Sequence, residues 1–394
     1  MKVEIPLLVL SSLVIFSYIF DLFARKSKIP SILLLVASGL GLQYAARYFD
    51  ISTAALERIL PLLGTVGLIL IVLEGSLELK LSGDKKQLIR KSIASAFFIL
   101  LATTFAITGF LYFYTDAPLR LCFINAIPFS IISSAIAIPS ASVLDSERKE
   151  FIVYESSMSD IFGIMLFNFA VMNTSYGVRS FTSLIGETIL ITLLAAVFCV
   201  GLLYLLSRIT HKLKFFLVIS VLVLVYAFGK VYHLSSLIIV LVFGLFLSNA
   251  HLIRVPIFQR KFMYKNYLQD LEQMHLLSGE SAFLVRTFFF LIFGISIDVF
   301  SLVHYSVLIA GGAIVLLIYL SRFTYHRLFL KTATLTELLL SPRGLISILL
   351  FLSIPVSERI PGVGEGTMLL VIILTSLIMT IGLVRNQAPA PATD

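Results

Sequence analysis

The 394-residue chain is 59% hydrophobic and only 13% charged, carries 30 Lys plus Arg against 22 Asp plus Glu, and has a mean hydropathy of +1.02. So little charge cannot cover the surface of a soluble domain, which excludes a soluble globule and points to a polytopic membrane protein. No alternating strand pattern occurs, which excludes a barrel and predicts an all-α bundle.

A membrane span needs about 20 apolar residues in a helix. Segments 4–23, 29–46, 57–78, 87–114, 119–144, 151–174, 183–208, 213–230, 234–250, 281–300, 302–321, 335–355 and 366–385 meet it, giving 13 predicted spans. The first, "MKVEIPLLVLSSLVIFSYIF", has too long an apolar run for a signal peptide and no A-x-A site follows. Odd-numbered loops hold 20 Lys plus Arg and even-numbered loops 6. The positive-inside rule then predicts an external N-terminus and a cytoplasmic C-terminus. The net charge of +8 is thus a topology signal, and no nucleic-acid partner is expected. Cys122 and Cys199 fall inside spans and read as small core residues.

Along the chain, span 3 carries Glu74. Span 5 carries "SSAIAIPSASV", with Pro139 in mid-helix. Span 6 opens with "YESSMSD", Tyr154 to Asp160, two carboxylates and three serine hydroxyls wound into a lipid-like stretch. The connection 251–280 places Phe258, Phe262, Leu268, Leu271 and Met274 at near-helical spacing among Lys and Arg, which predicts a connecting helix lying on the bilayer. Span 10 carries Arg286, either bracing the interior or snorkelling to the interface. Span 12 carries "LLSPRGLISIL", with Pro342, Arg343 and Gly344 in mid-helix. The polar tail "NQAPAPATD" is expected to be disordered.

Oddities in span 5 recur in span 12, seven spans later. Proline removes a backbone hydrogen bond, and in lipid such a break survives only where it lines a cavity or is buried in protein. Broken helices at corresponding places in two halves point to a transporter's central site. The predicted organisation is one transmembrane domain over residues 1–385, with inverted six-helix repeats at about 4–174 and 213–385 joined by span 183–208.

Each ionisable group deep in a span costs about 2.5–3.5 kcal/mol and needs a partner or a wet cavity. The deep set is Glu74, Glu155, Asp160, Arg286 and Arg343, three acids against two bases. The acid left over is the one a cation or a proton would neutralise. Glu155 with Ser159, and Ser156 with Asp160, form adjacent stripes on one helix. The Ser156–Asp160 stripe offers hard oxygens suited to an alkali cation, and Asp160 is the expected spare acid. Glu155 can pair with an arginine on a neighbouring helix.

"LEGSLEL", "ESSMSD", "FFFLIFGISID" and "SPRGLISI" together resemble the monovalent cation/proton antiporters, in the NhaP-type branch that includes animal sodium/proton exchangers. In that family an E-S-x-x-N-D motif ends in the ion- and proton-carrying aspartate, which the resemblance maps to Asp160. Ser156 and Glu74 map to ion-site contributors, with Ser159 in the Asn position. The resemblance implies that Glu155 pairs with the span 12 arginine, Arg343. It also implies a homodimer in which a core bundle slides against a dimerisation bundle. Two departures stand out. Ser159 replaces Asn, and the T-D-P of the broken span 5 is "AIP", Ala137 to Pro139. Ser133, Ser134, Ser140 or Ser142 could supply the missing oxygens, and selectivity among Na⁺, K⁺ and Li⁺ stays open.

No G-x-x-x-x-G-K-[ST], H-E-x-x-H or nucleophile–base constellation occurs, so neither an enzyme nor a cofactor is expected. The expected function is electroneutral exchange of a monovalent cation, Na⁺ first, for a proton, in a plasma or inner membrane. The alternatives are a K⁺-selective exchanger and a transport-deficient regulatory protein keeping the antiporter fold.

Overall fold

The protein's structure, a computed structural model, describes residues 11–12, 14–20, 22–23, 30–48, 54–79, 85–173, 178–209, 215–231, 236–253, 255–262, 266–330 and 334–385. The tail from 386 onward and much of the predicted first span lie outside the described residues. Among the described residues no strand forms. The helices are α1 Ser31–Tyr48, α2 Ala54–Glu78, α3 Lys86–Thr115, α4 Leu119–Ser130, α5 Ser134–Ser140, α6 Ser146–Met172, α7 Val178–Arg208, α8 Phe215–Val231, α9 Ser236–Asn249, α10 Pro256–Phe262, α11 Tyr267–Ser296, α12 Tyr305–Tyr325, α13 Leu335–Leu339, α14 Leu345–Leu352 and α15 Glu365–Arg385. Six stretches among the described residues, such as Lys86–Thr115 and Glu365–Val384, are long and apolar enough to cross a membrane, and α8 and α9 are shorter apolar helices.

The chain divides into two units, Met1–Thr65 with Lys91–Gly163 and Leu284–Asp394, and Val66–Arg90 with Ile164–Phe283. In the second unit α9 packs on α7 and α8, around Ile191, Ala195, Val225, Ile238 and Ile239. The end of α2 is fastened to α9 by side chains. Ser248 donates to the Leu77 carbonyl (3.0 Å) and Asn249 to the Leu79 carbonyl (2.9 Å). These bonds satisfy carbonyls that a helix terminus leaves without partners.

Two interrupted helices organise the first unit. The chain runs extended through Ile131–Ser133 between α4 and α5, and the helix is interrupted again at residues 340–344 between α13 and α14. The interruptions meet: the Ser133 N–H donates to the Pro342 carbonyl at 2.9 Å. Gly344 is what allows this approach, because a Cβ there would lie 2.4 Å from the Ser133 hydroxyl. α14 packs on α4, and α12 and α13 pack on α15.

Two expectations about this architecture need correction. The first break lies at Ile131–Ser133, whereas Ala137 and Pro139 sit inside the short helix α5. A proline at the sixth position of a seven-residue helix deletes a single ladder bond. The break forms instead where the freed backbone donors find partners on distant segments. The connection 251–280 is also not one surface helix. Phe258 and Phe262 belong to α10, while Leu268, Leu271 and Met274 lie in the first turns of the 30-residue α11.

The steric account of the crossing predicts that Gly344→Ala destabilises the fold by about 1–3 kcal/mol through overpacking. Thermal unfolding in detergent checks this, and an unchanged midpoint would contradict the close approach.

Candidate functional site

The interrupted helices leave backbone groups that lipid cannot satisfy, and their partners define the site. Three consecutive donors at the first break are met one by one. The Ile132 N–H donates to the Ser159 hydroxyl oxygen (3.0 Å), Ser133 N–H to the Pro342 carbonyl, and Ser134 N–H to Asp160 Oδ2 (3.3 Å). Two of these acceptors stand on adjacent positions of α6. The stretch "SD" therefore faces the break, as its place in mid-helix requires.

The carbonyls at the end of α4 are held by Arg343. Its Nε donates to the Phe129 carbonyl (2.6 Å) and Nη2 to that of Ser130 (3.3 Å). Its Nη1 donates to both the carbonyl and the hydroxyl of Ser341 (2.8 Å each). A cation at a helix C-terminus interacts favourably with the aligned peptide dipoles. This fully buried guanidinium is thus accommodated by carbonyl oxygens.

The expected Glu155–Arg343 pair is replaced by a different one. Glu155 accepts a forked pair of bonds from Arg322, Nη2 to Oε2 at 2.7 Å and Nη1 to Oε1 at 3.2 Å, and a further bond from the Ser95 hydroxyl. Arg322 also donates Nε and Nη2 to the Glu337 carbonyl of α13 (3.2 and 3.0 Å). Each buried arginine thus also donates to backbone carbonyl oxygen at an interrupted helix. The reason for the correction is helix length. Arg322 was counted among loop residues because the apolar window ends at 321, but α12 continues to Tyr325 and buries it completely. The deep set then has three bases, and a simple surplus of acids no longer identifies the spare carboxylate. Geometry does.

Asp160 is 6% exposed, and its Oδ1 has no hydrogen-bond partner. Among the described residues no basic side chain pairs with it. Ser156, four residues back on the same stripe, is fully buried and donates its hydroxyl to the Ile152 carbonyl of its own helix (2.7 Å). That leaves its oxygen lone pairs available. Ser159, expected beside the ion, already accepts the Ile132 N–H and braces the break. Glu74 belongs to the second unit, half-buried on α2, where Gly279 leaves room for its Oε1. Arg286 is half-buried in the second half of α11.

Sequence reasoning missed three groups here. Arg322 and Ser95 complete the Glu155 cluster; Ser95 was legible only as a polar residue inside an apolar run, and Arg322 only as a basic residue just past the end of one. His326, one turn beyond Arg322, is 2% exposed with neither ring nitrogen partnered.

Removing the guanidinium from Glu155 leaves a buried, unpaired charge, a change worth about 3–5 kcal/mol. Arg322→Ala should therefore lower stability by that order, and Glu155→Gln combined with Arg322→Gln should recover much of the loss. A double-mutant cycle on thermal unfolding reads this, and coupling of Glu155 to Arg343 in place of Arg322 would overturn the pairing.

Comparison with known proteins places this geometry. Residues 10–385 match the family described as sodium/hydrogen exchanger, transmembrane. A structure of the sodium proton antiporter MjNhaP1 from Methanocaldococcus jannaschii at pH 8 superposes with a TM-score of 0.69 at 20% identity, covering 98% of this chain and 96% of that one. An electron-microscopy structure of the same antiporter gives 0.65 at 19% identity, covering 99% and 100%. No curated protein matches. The likeness to the solved structures shows a shared fold, and the match across residues 10–385 shows that the chain belongs to the sodium/hydrogen exchanger family of integral membrane transporters.

Proposed function

We propose that the protein exchanges one monovalent cation, Na⁺ first, for one proton at Asp160 by alternating access. The observation that carries this reading is the state of the Asp160 carboxylate. It is almost fully buried, accepts from the amide of Ser134, and has no guanidinium or ammonium partner among the described residues. A bare carboxylate in such surroundings carries an uncompensated desolvation cost of several kcal/mol. Binding either H⁺ or a metal ion removes that cost. One carboxylate cannot hold both, so each ligand expels the other, and coupling needs no further machinery.

The neighbouring charges support the assignment because they are already compensated. Glu155 is held by Arg322 and Ser95, and Arg343 by backbone carbonyls. These groups already have their partners, leaving Asp160 as the exchanging group. Ser156 contributes lone pairs one turn away on the same stripe. The proposal includes 13 spans in two inverted repeats, an external N-terminus, a cytoplasmic C-terminus and a homodimer, as the loop charges and the family resemblance imply.

The transport-deficient reading was motivated by Ser159 and the "AIP" stretch. Ser159 nonetheless bonds the Ile132 amide, so the replacement of Asn leaves the break braced. This favours a working exchanger.

In proteoliposomes, cations should dissipate an imposed pH gradient, and Asp160→Asn should abolish that flux while leaving the protein folded. Exchange retained in the variant would remove Asp160 from the mechanism. Flux absent from the unaltered protein with Na⁺, K⁺ and Li⁺ alike would remove the exchanger reading.

A further inference from the structure

We propose that Glu337 is a positioning residue for cation exchange: it fastens the half-helix α13, and with it the second break, to the helix that carries Asp160. This rests on the exchange reading above and adds to it a residue that neither the ion nor the proton touches.

Helix α13 is five residues long, Leu335–Leu339. A helix of little more than one turn has no stability of its own, so its place is fixed by what holds it. Glu337 supplies three such holds. Its Oε2 accepts the Thr334 N–H at 3.0 Å and closes a capping box at the start of α13. Its Oε1 forms an ion pair with Arg148 Nε at 3.3 Å. Its backbone carbonyl accepts Nε and Nη2 of Arg322 at 3.2 and 3.0 Å. Arg148 stands in the first turn of α6, and Arg322 is held by Glu155, about two turns further along the same helix. One residue thus ties α13 to α6 at two heights.

The consequence reaches Asp160 through bonds already described. Beyond α13 comes Pro342, whose carbonyl takes the Ser133 N–H, and the next amide, that of Ser134, donates to Asp160 Oδ2. The series starts on α6 at Arg148 and returns to α6 at Asp160. A displacement of α13 therefore moves the amide that orients the exchanging carboxylate. Arg148 Nε also lies 3.1 Å from Asp145 Oδ2, but the two carboxylates differ in setting: the Asp145 side chain is 57% exposed and that of Glu337 is 14% exposed. Water and salt screen the first pair far more than the second. Asp145 serves instead to cap α6, accepting the Arg148 N–H on Oδ1 at 3.0 Å.

The test measures half-saturating Na⁺ concentration and maximal rate per folded protein, in proteoliposomes holding the full chain. Arg148→Gln removes the ion pair and leaves the capping box and the Arg322 bonds in place. It should raise half-saturating Na⁺ about fivefold, because a misplaced orienting group weakens binding, and leave the maximal rate within about twofold. Glu337→Gln keeps an oxygen for the Thr334 N–H and should shift half-saturating Na⁺ by a similar factor. Combining the two should add little, since both break one contact. Arg148→Lys, which keeps the charge, should lie nearer the original protein, and Asp145→Asn should match it within about twofold. Unchanged half-saturating Na⁺ in Arg148→Gln and Glu337→Gln, a fall in maximal rate alone, additive shifts in the double variant, or an equal shift in Asp145→Asn would overturn the role of Glu337. Such results would leave Asp160 exchange standing, since that reading fails only if the unaltered protein moves no cation or Asp160→Asn still does.

Discussion

Two helices of this transporter stop partway through their spans, and everything else at its centre answers the hydrogen bonds those stops leave open. Water would satisfy such groups in a soluble protein. In hydrocarbon each must find a partner within the protein. The breaks solve part of the problem for each other: the Pro342 carbonyl takes the Ser133 amide, and Arg343 beside it takes the carbonyls that end α4. The rest falls to α6, whose consecutive Ser159 and Asp160 accept the two remaining amides. A carboxylate is thereby drawn to the crossing by the backbone, without being neutralised there.

That separation of roles explains why four buried charged groups behave differently. Glu155 and Arg322 satisfy one another through a forked, hydrogen-bonded pair, the geometry in which a buried ion pair is tolerated. Arg343 is accommodated by carbonyl dipoles. Both arrangements are closed, and a mobile ion gains nothing by entering them. Asp160 is open on one oxygen. The carboxylate oriented by an amide but lacking a counter-charge is, in the exchange proposed above, where H⁺ and a metal cation compete.

Much of this was legible in the sequence, for identifiable reasons. Apolar run length gave the helical membrane fold, and the cost of charge in lipid picked out Glu155, Asp160 and Arg343 before any coordinates. Pro342 marked the second break because its missing amide falls where the chain leaves the helix. Sequence reasoning misplaced the first break, because Pro139 is tolerated in a short helix and the partners that open the chain at Ile131–Ser133 come from residues near 159 and 342. It misassigned the partner of Glu155 because Arg322 stands one residue beyond an apolar window, where a buried arginine and a snorkelling one look alike.

The central claim is that H⁺ and a metal cation share Asp160 by turns. Its most direct measurement is the number of protons released per cation bound, obtained by calorimetric titration of the purified protein with Na⁺ in buffers of different ionisation enthalpy. About one proton should leave for each Na⁺ that binds near neutral pH. Saturable Na⁺ binding that releases no proton would contradict the account.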